Sequence, residues 1–491
     1  MLMRRRDLLQ ALAAVPVCAL AGCATAPGEG PDSDVIVVGA GLAGLHAALR
    51  LQDAGLRVRV LEATRRVGGR LHTVQADGQT IELGGTSIGG GYALARGLGT
   101  RLGVAFRDPP PAAVAIATPR PSQATLGVSA RTLIGTGHRL IADAAWPQAP
   151  ANQLQGRERM IAPPLLLARA LEANPLATAG DWLDPAHAGL DIALDAWLRA
   201  GGWSRQAIEW MDVAALYRSL GQVSALDVLR RDALRRQGSQ WAGTVAGGSQ
   251  RLPEAMAAAL AQPFEPHAEV EAVVQDEDGV RVVARDGRRW RAPYVVLALP
   301  PGPLQRLRLT PTLPAAQRAV VADRHLSAVT TVHLRPRRRY WEADGLPVNM
   351  HLDGSLERVF GVPGEDGGIA RIIVWINGRG AEAIDRMDED RIAGWAQREL
   401  ARWRPASDGA TEVLAVRSWG RDRHAMGAFA EIAPGRCVDT ARLTALVHGR
   451  LHFAGEHTAF DAPGIEAALS SGVRAADEVM AAVAGARVVA A

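Results

Sequence analysis

The chain has 491 residues, 48% of them hydrophobic and 22% charged, a balance that fits a globular protein and excludes a disordered or fibrous one. All 55 basic residues are arginine, and the absence of lysine excludes Schiff-base chemistry and an amine acting as general base. The net charge of +4 falls to +2 if an N-terminal signal is removed, which leaves no electrostatic footprint for nucleic acid. Of the three cysteines (Cys18, Cys23 and Cys437), only Cys437 stays free in a processed chain. Neither a disulfide framework nor a cysteine zinc site is available, and no metal-ligand spacing occurs elsewhere.

The first element is a charged front, Arg4 to Arg6, followed by an apolar run from Leu8 to Leu20 and small residues. This is the anatomy of an export signal, because a spanning helix needs ~20 apolar residues. Arg5-Arg6-Asp7-Leu8-Leu9 resembles a twin-arginine signal, the kind read by an exporter of folded cargo. Leu20-Ala21-Gly22-Cys23 resembles a lipobox, in which Cys23 is acylated. The expectation is a signal over 1–23, a linker over 24–33, and a protein on the periplasmic side held to a membrane by lipidated Cys23. Ala24 after the cysteine favours the outer membrane.

Val35 to Val38 is a continuous apolar run, as a parallel strand covered on both faces requires. Gly39-Ala40-Gly41-Leu42-Ala43-Gly44 follows, and Leu42, Leu45 and Leu49 recur at helical spacing. A second strand, Arg57 to Leu61, ends at Glu62. This βαβ unit carries the dinucleotide fingerprint in its required context. Gly39 permits the tight turn, Gly41 lets backbone approach a pyrophosphate, and Gly44 lets helix and strand pack closely. Glu62 is placed to accept hydrogen bonds from ribose hydroxyls, and its charge disfavours a 2′-phosphate.

Gly68-Gly69-Arg70 and then Leu83-Gly84-Gly85 continue the pattern, and with them the sequence resembles the flavin-containing amine oxidase family. The resemblance implies an α/β fold, a Rossmann-like FAD-binding domain interleaved with an α+β substrate domain. It also implies FAD as cofactor, with Gly68, Gly69 and Arg70 at the pyrophosphate and Gly84 and Gly85 beneath the isoalloxazine ring. Further blocks recur at GGSQRLPEAM (Gly247 to Met256), Glu269 to Val273, Tyr294 to Leu299 and Leu451 to Ala476. By the same resemblance, the Val270 backbone meets adenine, Glu456 lies near the pyrophosphate and ribityl chain, and the Ile465 N–H meets the flavin pyrimidine. The expected FAD-binding domain comprises 34–108, 243–302 and 420–482, the substrate domain 109–242 and 303–419, and a tail 483–491.

The family transfers hydride from the carbon next to an amine nitrogen to flavin, giving an imine that hydrolyses, so side chains mainly orient and desolvate substrate. Two family features are altered in this chain. Thr331, in TTVHLRPRRRYW with Trp341 ten residues on, stands where relatives place a lysine that holds water beside the flavin. It reads either as a plain strand residue or as a water-holding hydroxyl. The aromatic pair that sandwiches the amine is reduced to Phe429, after Trp419-Gly420, because its partner falls on Gly464. The expected pocket of Phe429, Gly464, Thr331 and Trp419 suits a substrate bulkier than a simple monoamine. Ala428 occupies the place of a flavin-linking cysteine, so FAD is expected to be non-covalent.

His424 and His457 lie near the inferred site but read as solvent-facing or core residues sooner than as functional ones. Arg335 to Arg339 reads as a solvated run. Arg230, Arg231, Arg235 and Arg236 share a helical face that suits surface pairing as well as anion binding. An arginine of the kind that clamps a carboxylate in amino-acid oxidases is not apparent from Gly84 to Gly91. Oxygen or a periplasmic electron acceptor would reoxidise the flavin. Two other readings share the FAD blocks: a desaturase or protoporphyrinogen-oxidase-like enzyme acting on C–C bonds, and a non-catalytic lipid-anchored FAD protein.

Overall fold

A computed structural model describes residues 33–107, 132–238, 242–364 and 367–490. The signal reading, with Arg5, Arg6 and Cys23, lies outside the described residues. Among the described residues no helix is long and apolar enough to cross a membrane.

One half of the molecule is built on a parallel sheet with strand order Val58–Leu61, Val35–Val38, Tyr294–Leu297, Leu451–Phe453. The apolar run at Val35–Val38 is central because both of its faces are covered. Val35 and Val37 point to helices Leu42–Asp53 and Gly464–Ala490, where Leu45, Leu49, Ala475 and Val479 complete a core. Ile36 and Val38 point the other way, onto Val273, Val282 and Trp290 of a second sheet. That sheet runs Arg289–Ala292, Gly279–Ala284, Val270–Asp276, Arg308–Thr310. The chain stays with this half beyond residue 302, since Leu307, Leu313 and Val321 share the same core. Residues 483–490 continue the last helix.

The other half is a seven-stranded sheet in the order Thr411–Ser418, Val329–Pro336, Ile369–Asn377, Arg358–Pro363, Met350–Leu352, Leu133–Thr136, Arg139–Ala142. Alternation along Val329–Pro336 splits its side chains. Val332 and Leu334 pack with Ile392, Ala396 and Leu400 of helix Glu389–Trp403. Val329, Thr331 and His333 occupy the opposite face, where Val329 meets Trp419 and Ala425. Helices between Leu166 and Gln237 bury a separate core around Leu198, Leu226 and Leu229. Cys437 is buried beside that core, and burial pushes its thiol pKa upward.

Candidate cofactor and substrate site

The first glycine turn is shaped by close approach. A Cβ on Gly39, whose φ is +106°, would lie 2.6 Å from the Ala298 carbonyl oxygen, and one on Gly44 would lie 2.0 Å from the Gly39 oxygen. At Gly41 an added Cβ would meet nothing within 4 Å. Helix Leu42–Asp53 begins there with no side-chain cap and no acid in its first turn. Its first N–H groups therefore have no side-chain partner, as an anion-binding helix start requires.

The second glycine pair folds onto the first. Gly68 N–H donates to the Ala40 oxygen at 2.8 Å, and a Cβ on Gly69 would stand 3.5 Å from Gly41 Cα. Glu62 closes the same turn, accepting from Ala40 N–H at 2.9 Å and from Thr64 N–H and hydroxyl at 2.8 and 2.9 Å. A carboxylate offers about four acceptor sites, so one remains for a ribose. Segment 265–268 pairs with the end of this strand through Glu265 and Ala268, which brings Val270 close behind Glu62.

Arg70 donates to the Ala428 carbonyl at 2.7 Å and to Glu456 at 3.1 Å, joining three segments distant in sequence. A Cβ on Gly84 would lie 2.0 Å from the Arg70 oxygen; one on Gly85 would meet Leu71 at 2.9 Å and Ile465 at 4.0 Å. The structure thus brings Arg70, Gly84, Gly85, Glu456 and Ile465 together. Several supports were not singled out from the sequence. Glu82 accepts from Ser249 N–H at 2.6 Å and hydroxyl at 2.7 Å, Gln250 donates to the Val67 oxygen at 2.7 Å, and Arg66 donates to the Leu71 oxygen at 2.7 Å. Glu82 and Arg66 lie inside the glycine blocks, and that position is the signal that could have found them.

On the substrate side, Phe429 is half-buried and packs with Val329, Trp419 and Trp375. Trp419 is 3% exposed and its indole donates to the Leu83 oxygen at 2.7 Å, with Arg417 stacked 3.9 Å from the ring centre. Trp419 therefore supports the Leu83–Gly85 strip from behind and does not line open space. The Thr331 hydroxyl lies 3.2 Å from His333 Nε2, and both side chains are buried. Desolvation, then Arg371, lowers the His333 pKa to about 3, so the ring is neutral.

Gly464 has φ +51°, a conformation that favours glycine, so its lack of a side chain has a backbone cause as well. A Cβ there would come within 3.7 Å of the Tyr92 hydroxyl. Tyr92, which sequence reading missed, thus brings an aromatic ring to Gly464 from the start of helix Ala93–Leu102. Burial, then Glu466 and Glu456, pushes its phenol pKa up to about 12. His457 is buried and held neutral by desolvation and neighbouring arginines, while His424 is half-buried. Arg335, Arg337 and Arg339 pair with Asp77, Glu412 and Glu342 at the surface.

A parallel-sheet half with an open double-glycine cradle, packed beside a broad, mostly antiparallel sheet, fits a dinucleotide-dependent flavoprotein oxidoreductase. The model of flavin containing amine oxidoreductases matches residues 42–480, and the chain belongs to that family. FAD is its cofactor, and the uncapped helix start and the glycine cradle fit it. The chain is 23% identical over 461 residues to the L-amino-acid oxidase of Bungarus fasciatus, covering 91% of this chain and 86% of the relative. It is 23% identical over 467 residues to a probable flavin-containing monoamine oxidase A of Dictyostelium discoideum, covering 91% and 97%. Among solved structures, a variant of putrescine oxidase superposes with TM-score 0.73 at 22% identity, covering 91% of this chain and 99% of that one. Cyclohexylamine oxidase from Brevibacterium oxydans gives TM-score 0.72 at 22% identity, with coverage of 92% and 100%.

Proposed function

We propose that the protein is an exported oxidoreductase that oxidises the C–N bond of an amine to an imine, which water then hydrolyses. The observation that carries the reading is half-buried Phe429, packed on the Val329 and Trp419 core beside Ala428, whose carbonyl accepts from Arg70. An apolar wall of this kind excludes water and favours the uncharged amine, the form that can release hydride, and neutral His333 adds no charge to the strand behind it. FAD supplies the two-electron sink when bound. Arg70 and the N–H groups following Gly41 would hold its phosphates, and Glu62 its ribose.

With alanine at position 428, no thiol is available to link the cofactor, which supports non-covalent binding. Arg5 and Arg6 support loading in the cytoplasm before export, and Cys23 supports a lipid anchor on the periplasmic side. The reoxidant is oxygen or a periplasmic electron carrier. Anaerobic titration of the yellow protein with a broad panel of amines tests the reading: loss of flavin absorbance with carbonyl product is expected. A flavin that photoreduces normally yet is bleached by no amine would overturn it. Replacing Arg5 and Arg6 with lysine should retain the protein in the cytoplasm; unchanged export refutes the twin-arginine route.

A further inference from the structure

The nucleotide half has a direction. Strands Val35–Val38, Val58–Leu61, Tyr294–Leu297 and Leu451–Phe453 run parallel, so all four start at the same edge of their sheet. The first glycine turn and Glu62 follow the strand ends at the opposite edge, where ligands bind in an open sheet of this kind. The chain enters the sheet at the starting edge, through Ser33 and Asp34. Only ten residues separate Cys23 from Ser33, so an acyl chain on Cys23 lies within about 36 Å of that edge.

The same edge carries an apolar pair. Leu446 is 47% exposed and Val447 38%, and they lead into strand Leu451–Phe453, which lies two strand spacings, or about 10 Å, from Val35–Val38. A single exposed leucine or valine is ordinary. These two are adjacent, and their loop is tied down. Gln317 donates to the Leu446 oxygen at 2.6 Å, the Thr444 hydroxyl to the Thr440 oxygen at 2.7 Å, and His448 and Leu451 exchange backbone bonds at 3.0 Å. Arg450 donates to the Glu277 oxygen at 2.8 Å. A loop fixed in advance avoids the ordering cost that a surface contact otherwise carries. Charges nearby offset one another: Asp34 pairs with Arg57, and Asp276 and Asp278 with Arg291. The edge therefore offers an apolar contact and not a polybasic one.

We propose that the starting edge of the parallel sheet rests on the membrane. Leu446 and Val447 enter the interface of the leaflet that holds lipidated Cys23, and the glycine cradle faces the aqueous side. A tethered anchor alone leaves the orientation open, and a second apolar contact fixes it. Substrate and electron acceptor then reach the flavin site from water and not from the bilayer. This rests on the lipid-anchor reading of Cys23, which the test below reads separately.

The test uses the acylated holoenzyme in vesicles of phosphatidylethanolamine and phosphatidylglycerol. An environment-sensitive fluorophore is attached at Val447→Cys or, for comparison, at Arg65→Cys, an exposed position just beyond Glu62 on the cradle side. Cys437 is buried, so the introduced cysteine takes the label. The label at 447 should emit to the blue of the label at 65 and lose most of its emission to nitroxide-bearing lipids, at low and high salt alike. The label at 65 should lose almost none. Leu446→Cys gives the same reading should Val447→Cys fold poorly. Quenching at 65 that equals or exceeds that at 447 overturns the proposed face. So does a blue shift at 447 that nitroxide lipids leave unquenched and that grows with protein density, which assigns the pair to a second copy of the chain. Mass spectrometry of the Cys23 peptide reads the anchor: an unmodified Cys23 removes the anchor and the membrane face with it, whereas an acylated Cys23 with an aqueous label at 447 removes the face alone.

Discussion

Thr331 lies buried on the face of its strand that Val329 shares, directly across from Trp375 and Arg417 on the neighbouring strands. Its hydroxyl contacts neutral His333, and the chain has no lysine to hold water there. Reduced enzyme is therefore expected to react slowly with oxygen, and Thr331→Lys to speed that reaction. Stopped-flow mixing of reduced enzyme with oxygen reads the rate; rapid wild-type reoxidation with stoichiometric peroxide contradicts the expectation. Glu62 pins Ala40 N–H and Thr64, and in the proposed reading it also holds the ribose. Glu62→Ala should release FAD during gel filtration and lower stability by ~1–3 kcal/mol, since it strands a partly buried donor. Retention of full flavin content in that variant would count against the ribose assignment.

At the level of elements, the site depends on how closely a helix and a strip of extended chain approach the parallel sheet. In Gly44→Ala the new methyl would collide with the Gly39 backbone oxygen, 2.0 Å away, and neither atom belongs to a flexible side chain. Helix Leu42–Asp53 would have to lift from the sheet, so the variant should purify with little flavin and a lower Tm. Trp419 performs the corresponding task for the Leu83–Gly85 strip. Trp419→Phe keeps most of the apolar contact but removes the donor to the buried Leu83 oxygen, a loss of ~1–3 kcal/mol. The change should also shift the flavin absorption maximum; an unaltered spectrum and denaturation midpoint would show that the indole bond has no supporting role.

Across the whole molecule, pH acts through buried acids and histidines. Desolvation raises the Glu357 pKa from its ordinary value of 4.5 to about 8, with Asp212 adding to the rise and Arg358 and the Asn377 N–H opposing it. The native state then holds a proton that the unfolded chain releases. The resulting stability is full below about pH 4.5 and is lost as pH rises through about 8. His333 and His351 act oppositely, because burial lowers both to about 3 and their stabilisation disappears as pH falls below 6.5. Glu357→Gln should flatten the alkaline decline of Tm between pH 6 and 8; an unchanged slope would assign the decline elsewhere.

The sequence alone determined the nucleotide half. Strand, glycine turn, helix and terminal acid are contiguous from Val35 to Glu62, and their chemistry is set by local backbone geometry and one 3.6-residue period. Gly68 to Arg70 and Leu83 to Gly85 were legible through the resemblance to the flavin-containing amine oxidase family. Tertiary structure alone decided which distant residues meet. Tyr92 reaches Gly464 across the fold, Arg70 meets Ala428 and Glu456, and three arginines from residues 230, 231 and 324 converge on one cavity. Helical spacing left the arginines at 230 and 231 open between surface pairing and anion binding. In the fold both pair with Asp227 on their own helix and donate to the Phe460 and Ala430 oxygens.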